Sequence, residues 1–79
     1  MKLPRNLNGV DLAEHLVKNW DYRRIHQTGS HIILETESPA HQRVSIPAHK
    51  PLRTGTLAKI LQLVASHKWE SKIEILKGL

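Results

Sequence analysis

Apolar residues recur along this chain with two different periods. Between Gly9 and Asn19 the period is helical: Leu12, Leu16, Val17 and Trp20 predict one apolar stripe. Asn8 stands at the expected N-cap, and Asp11, three residues on, meets the free amides and positive end of that helix. His15 falls on its polar face and is expected to be solvated. From Tyr22 the period becomes two. A first strand is predicted over 22–27, with Ile25 toward the core and Arg24 and His26 on the other side. Thr28-Gly29 then predicts a turn. A second strand, 31–36, puts Ile32 and Leu34 on one face and His31, Ile33 and Glu35 on the other. After a Glu37-Ser38-Pro39-Ala40 loop, a third strand over 42–46 turns Val44 and Ile46 inward and Arg43 and Ser45 outward, and Pro47 stops it. Helical spacing returns over 55–66 behind Thr54 as the expected cap, with Leu57, Ile60, Leu61 and Val64 at i, i+3, i+4 and i+7. Trp69, Ile73 and Leu76 predict a short helix over 69–77, although Ile73-Glu74-Ile75 also fits a strand. Both tryptophans lie on apolar stripes and are expected in the core.

The order helix, three strands, helix predicts an α+β domain, α-β-β-β-α with a short extra C-terminal helix. Three hairpin-linked antiparallel strands would carry both helices on one face and leave the other open. This layout resembles the double-stranded-RNA-binding fold, whose targets are read by shape and backbone. At 79 residues the expectation is a single domain, 1–79, near the lower size limit for one core. With no cysteine, disulfides and cysteine-bound zinc are excluded as staples, so a partner binding the folded state would add stability. No apolar run approaches the ~20 residues of a membrane span. Met1 to Asn8 carries no hydrophobic signal region, so a cytoplasmic location is expected.

Charge narrows the partners. The formal net charge is +5 and the pI about 10.0, which points to a polyanion. The excess lies in the C-terminal half, where Lys50, Arg53, Lys59, Lys68, Lys72 and Lys77 face only Glu70 and Glu74. Arg23, Arg24, Lys50, Arg53 and Lys59 are candidates for a phosphate-binding rim, with the amides of Gly55 and Thr56 at a helix start. Ser30 is a further candidate, because Gly29-Ser30 leaves room for a phosphate backbone to approach. The six histidines, at positions 15, 26, 31, 41, 49 and 67, supply groups that transfer protons near neutrality. Metal-free RNA cleavage needs such groups: a base for the ribose 2′-hydroxyl, an acid for the departing 5′ oxygen, and a cation against the phosphate. His31, at the start of a strand, has the most open setting, and His49, between Pro47 and Lys50, is a possible second acid or base. His26, His41 and His67 show no local context. No histidine pair has a zinc-ligand spacing, so no metal is expected. With so few aromatics, base stacking is weakly supported.

Three segments then carry a family resemblance. Thr28-Gly29-Ser30-His31-Ile32-Ile33-Leu34 resembles the Gly-Ser-His strand of the HicA toxins. Val44-Ser45-Ile46-Pro47-Ala48-His49 is similar to that family's strand ending in Pro-x-His, and Leu52-Arg53-Thr54-Gly55-Thr56-Leu57-Ala58-Lys59-Ile60-Leu61 to its Gly-Thr-Leu-x-x-Ile-Leu helix start. Leu3-Pro4 and Gly9-x-x-Leu12 also fit. The resemblance implies the double-stranded-RNA-binding-like fold and cleavage of mRNA independently of the ribosome. It implies His31 as the catalytic residue, a HicB antitoxin covering the His31 face, and no cofactor. Many members carry a second histidine directly after the first, where this chain has Ile32. The loop over 35–42 is longer than the family's tight turn, and the tail after Ser66 follows no family pattern. A non-catalytic RNA-binding module of the same fold, or a protein-binding open sheet, are the alternatives.

Overall fold

The computed structural model describes residues 6–79, so Leu3-Pro4 lies outside the described residues. Six elements follow in chain order: α1 (Gly9–Asn19), β1 (Arg23–Thr28), β2 (His31–Thr36), β3 (Gln42–Pro47), α2 (Thr54–Lys68) and α3 (Lys72–Leu76). The strands form one antiparallel sheet in the order β1-β2-β3. The expected α-β-β-β-α layout with an extra C-terminal helix is therefore the observed one. Among the described residues, no helix is long and apolar enough to cross a membrane.

Alternation along the strands decides the layers. Ile32, Leu34, Val44 and Ile46 are buried against Leu12, Ala13 and Leu16 of α1 and Leu57, Ile60, Leu61 and Val64 of α2. Each fully buried aliphatic side chain contributes roughly 1.5–3 kcal/mol relative to exposure. Asn8 caps α1 as expected: its side chain accepts from the Asp11 N–H at 2.8 Å and donates to the Asp11 carboxylate at 2.9 Å. One contact sets how α1 meets the sheet. A Cβ on Gly9 would lie 1.7 Å from the Pro47 carbonyl oxygen, and the Gly9 N–H donates to the His49 carbonyl at 3.0 Å. Only a residue without a side chain permits that approach.

Several expectations are corrected. Val17 is 40% exposed and lies outside the α1 stripe. His15, expected in solvent, is buried. Its Nε2 donates to the Ile75 carbonyl at 2.6 Å, its Nδ1 accepts from Asn19 Nδ2 at 3.0 Å, and Trp20 Nε1 donates to the same Ile75 carbonyl at 3.2 Å. The face that seemed polar is the seat of α3. Ile25 does not enter the core: the register shifts between Arg24 and His26, leaving Ile25 as a bulge residue on an edge strand. An extra residue reverses the alternation upstream of it, so Arg24, paired with Leu34, stands on the helix side of the sheet. Helix α2 starts one residue earlier than expected. Arg53, not Thr54, is its N-cap, and no side chain bonds there. It ends at Trp69, whose left-handed backbone (φ 58) interrupts the helical register and leaves the indole 87% exposed, outside the core. Chain direction resets before α3, which Ser71 caps by accepting from the Glu74 N–H at 3.1 Å. Ile75 is therefore the residue that α3 buries, and Ile73 is exposed.

At the end of the sheet that carries Thr36 and Gln42, Tyr22 is buried and its hydroxyl donates to Gln42 Oε1, while Gln42 Nε2 donates to the Leu63 carbonyl at 3.0 Å. Lys68 Nζ donates to Thr36 Oγ1 at 3.0 Å and sits 4.7 Å from the Tyr22 ring centroid. Burial pushes the Tyr22 phenol up to about 12 and the Lys68 ammonium below its usual range.

These outcomes are expected. Gly9→Ala forces backbone apart and lowers unfolding stability by about 3 kcal/mol, a melting shift beyond about 10 °C in a domain this small. Gly55→Ala, with open space around its Cβ, leaves the melting temperature equal or slightly higher. Tyr22 is the sole tyrosine, so absorbance titration should show a midpoint near 12 in the native chain and about 10 in denaturant. Because the folded value is the raised one, this group's contribution to stability is complete below about pH 10 and declines as pH rises toward 12.

Candidate functional site on the open sheet face

Pairing sorts the open face into three cross-strand rows. Thr28, His31 and Pro47 form the first, His26, Ile33 and Ser45 the second, and Arg23, Glu35 and Arg43 the third. The first row lies at the mouth of the β1–β2 hairpin. Thr28 pairs directly with His31, so the turn holds only Gly29 and Ser30, and Gly29 adopts a φ of 55 that favours glycine. His31 is exposed as the first residue of β2. The Ala48 N–H donates to the Ser30 carbonyl at 2.6 Å, fastening the turn to the chain leaving β3. Ser30, His31, His49 and Lys50 are thereby gathered at one end of the molecule, and all four are exposed. A hollow of about 270 Å³ lies alongside, lined by Asn8, Val10, Asp11, Ala48 and Lys50.

Arg53 follows at the start of α2. With neither a side-chain cap nor an acidic residue in its first turn, this helix presents amides and a positive dipole end suited to an anion. Lys59 is exposed on α2. Two expected rim residues lie elsewhere. Arg23 belongs to the third row, where it pairs with Glu35 at 3.4 Å and Glu37 at 3.6 Å. Arg24, turned to the helix side by the bulge, lines a separate hollow with Glu14, Val17 and Lys18.

The third row is an ion-pair network. Arg43 Nε meets Glu35 at 3.2 Å, and His41 Nδ1 meets Glu37 at 2.9 Å. The His41 hydrogen bond above all holds the Glu37 carboxyl below its usual range; desolvation opposes it, and the charges of His41 and Arg23 add smaller effects in the same downward direction. Potential ligand atoms of Glu35, Glu37 and His41 come within 4.8 Å of one another, but guanidinium groups already pair with both carboxylates. The open face thus has an end where charges are paired and, among the described residues, an end where Lys50 forms no ion pair although Asp11 shares its hollow, and His31 lies at the latter.

Position 32 also explains a departure from the family pattern. Ile32 is fully buried beneath the helices, so the residue after His31 points away from the open face and cannot share its chemistry. His26 shows the opposite. Its sequence context suggested nothing, yet the register sets it on the open face one row from His31. Alternation predicted that face, whereas proximity to His31 required the pairing.

The family model described as HicA toxin of bacterial toxin-antitoxin matches residues 12–64, more than half of the chain. No curated protein and no solved structure matches. The matched span runs from the core of α1 through the hairpin, β3 and most of α2, the elements that build the basic end of the open face, and on that match the chain belongs to the HicA toxin family.

Proposed function

We propose that this toxin is a ribonuclease that cleaves mRNA independently of the ribosome, in the cytoplasm, with His31 as a catalytic residue. The supporting observation is an exposed imidazole at a narrow hairpin mouth, next to Ser30 and fastened by the Ala48 N–H to the segment that carries His49 and Lys50. A phosphodiester lying across the turn meets a proton-transfer group and cations together. His31 moves a proton of the reacting ribose and phosphate, worth roughly 10²–10⁴-fold in rate. Ser30, Lys50, Arg53 and the free amides of α2 hold the phosphates, and Lys59 extends the positive path along the helix. The carboxylates facing Arg23 offset its charge, and Arg24 lies behind the sheet, so neither belongs to this rim. His49 remains beside the turn as a possible acid or base. These side chains supply the proton transfers without a cofactor. A HicB-like antitoxin covers the His31 face with an acidic surface that complements the +5 chain.

Growth of a bacterial host on inducing the chain tests the reading. Wild type arrests growth, and His31→Ala, expressed to the same level and with stability within about 0.5 kcal/mol because the residue is exposed, does not. Arrest by both proteins would instead favour the non-catalytic RNA-binding module. RNA affinity separates the rim from its exclusions. Arg53→Ala lowers affinity several-fold and reduces the log–log salt slope by about 1, whereas Arg24→Ala leaves both unchanged. Equal effects of the two variants would remove the distinction drawn between the two faces.

A further inference from the structure

We propose that His26 and His31 form the proton-transfer pair of this site, one the base and the other the acid. The assignment rests on the ribonuclease reading above and deepens it.

The chemistry demands two groups. The ribose 2′ oxygen attacks phosphorus, forming the O2′–P bond, as the P–O5′ bond breaks and its electron pair leaves with O5′. One proton departs from the 2′-hydroxyl and another must arrive at O5′. The products are a 2′,3′-cyclic phosphate and a 5′-hydroxyl end, and no oxidant, reductant or water is consumed in this step. In an in-line displacement the attacking and leaving oxygens lie on opposite sides of phosphorus. Each needs a partner within about 2.6–3.2 Å, which one imidazole in one place cannot provide for both.

Hydrogen bonding separates the six histidines into two groups. His15 is bonded to the Ile75 carbonyl and Asn19, His41 to Glu37, and His67 Nε2 to the Ala40 carbonyl at 2.8 Å. His26, His31 and His49 make no side-chain hydrogen bond among the described residues, and all three are exposed. Two of these three share a face of the sheet. Thr28 pairs with His31 and His26 with Ile33, so His26 and His31 are diagonal neighbours on the open face. Diagonal neighbours in such a pair lie about 7–8 Å apart, their Cβ atoms somewhat closer, within reach of long and aromatic side chains. Two imidazoles at that spacing can flank one phosphate, with the Thr28 hydroxyl beside it and the half-buried Ile33 beneath. The bulge at Ile25 ends immediately before His26, and from there the ladder runs in regular register to the two-residue turn. Both histidines are held by one rigid hairpin, as proton transfer requires. The charged groups of the adjoining row, Arg23, Glu35 and Arg43, are paired with one another and leave no uncompensated carboxylate facing His26. His49 lies past the end of β3, where its backbone turns toward α1 to accept from Gly9.

The test uses the full chain and an oligoribonucleotide containing a cleavage site mapped with wild type. It is compared with the same oligomer carrying sulfur in place of the bridging 5′ oxygen. A thiolate leaves without being protonated, so loss of the acid is rescued by sulfur and loss of the base is not. His26→Ala and His31→Ala are each expected to cleave the oxygen substrate at least about 10²-fold more slowly than wild type. One of the two, and only one, should regain a rate near wild type on the sulfur substrate. His26→Asn should behave as His26→Ala, and circular dichroism should show both folded. His26→Ala cleaving the oxygen substrate at a rate near wild type would overturn the pair and leave the ribonuclease reading standing. So would loss on both substrates for both histidines, which would make His26 a positioning residue. Sulfur rescue of His49→Ala instead would move the second role to His49. Failure of wild type to cleave RNA anywhere in the mapping step would overturn the ribonuclease reading and the pair with it.

Discussion

The carbonyl oxygen of Pro47 occupies the space that any side chain at position 9 would need. This contact of backbone on backbone brings the first turn of α1 against the last residue of β3, and much of the basic end follows from it. The Gly9 N–H reaches the His49 carbonyl, the Ala48 N–H reaches the Ser30 carbonyl, and the Leu52 N–H reaches the Leu7 carbonyl at 2.8 Å. These bonds fasten the hairpin mouth, the exit from β3 and the entry to α2 through main-chain groups. Side chains at that end are therefore released from structural duty, and Ser30, His31, His49 and Lys50 stand exposed.

The opposite end of the domain uses its polar side chains for structure. His15 and Trp20 both donate to the Ile75 carbonyl and dock α3 against α1. Tyr22, Gln42 and Lys68 close the corner between the sheet and α2. In a chain too small for a large core, such bonds supplement hydrophobic burial, and each is of order 1 kcal/mol net. The histidines illustrate this division: three hold structure, and the other three have unengaged rings on exposed surface. Charge is divided in a similar way, since the acidic residues of the open face are compensated by Arg23, Arg43 and His41, away from the hairpin mouth.

Much of this was legible in the amino-acid order. The helix over 9–19, the strand over 31–36, the faces of Ile32, Leu34, Val44 and Ile46, and the α2 stripe follow from periodicity, because burial on one side imposes a repeat of 2 or 3.6. The turn and the cap at Asn8 follow from local chemistry. The three segments resembling the HicA family also lie in these regular elements, which is why the family was recognisable without coordinates.

The residues that were misread depend on contacts between distant parts of the chain. His15 looks solvated until α3, sixty residues later, lays the Ile75 carbonyl on it. Arg24 looks like a neighbour of His31 until a one-residue bulge, which leaves no mark in the apolar pattern, reverses its side of the sheet. Trp69 looks like core until a left-handed residue breaks the register between two helices. His26 acquires meaning only when pairing aligns it with Ile33. The sequence alone thus determined which elements form and which faces they bury, since both are local consequences of side-chain period and backbone preference. Only the tertiary structure decided which polar residues meet, because strand register and helix docking are settled by the packing of the whole chain.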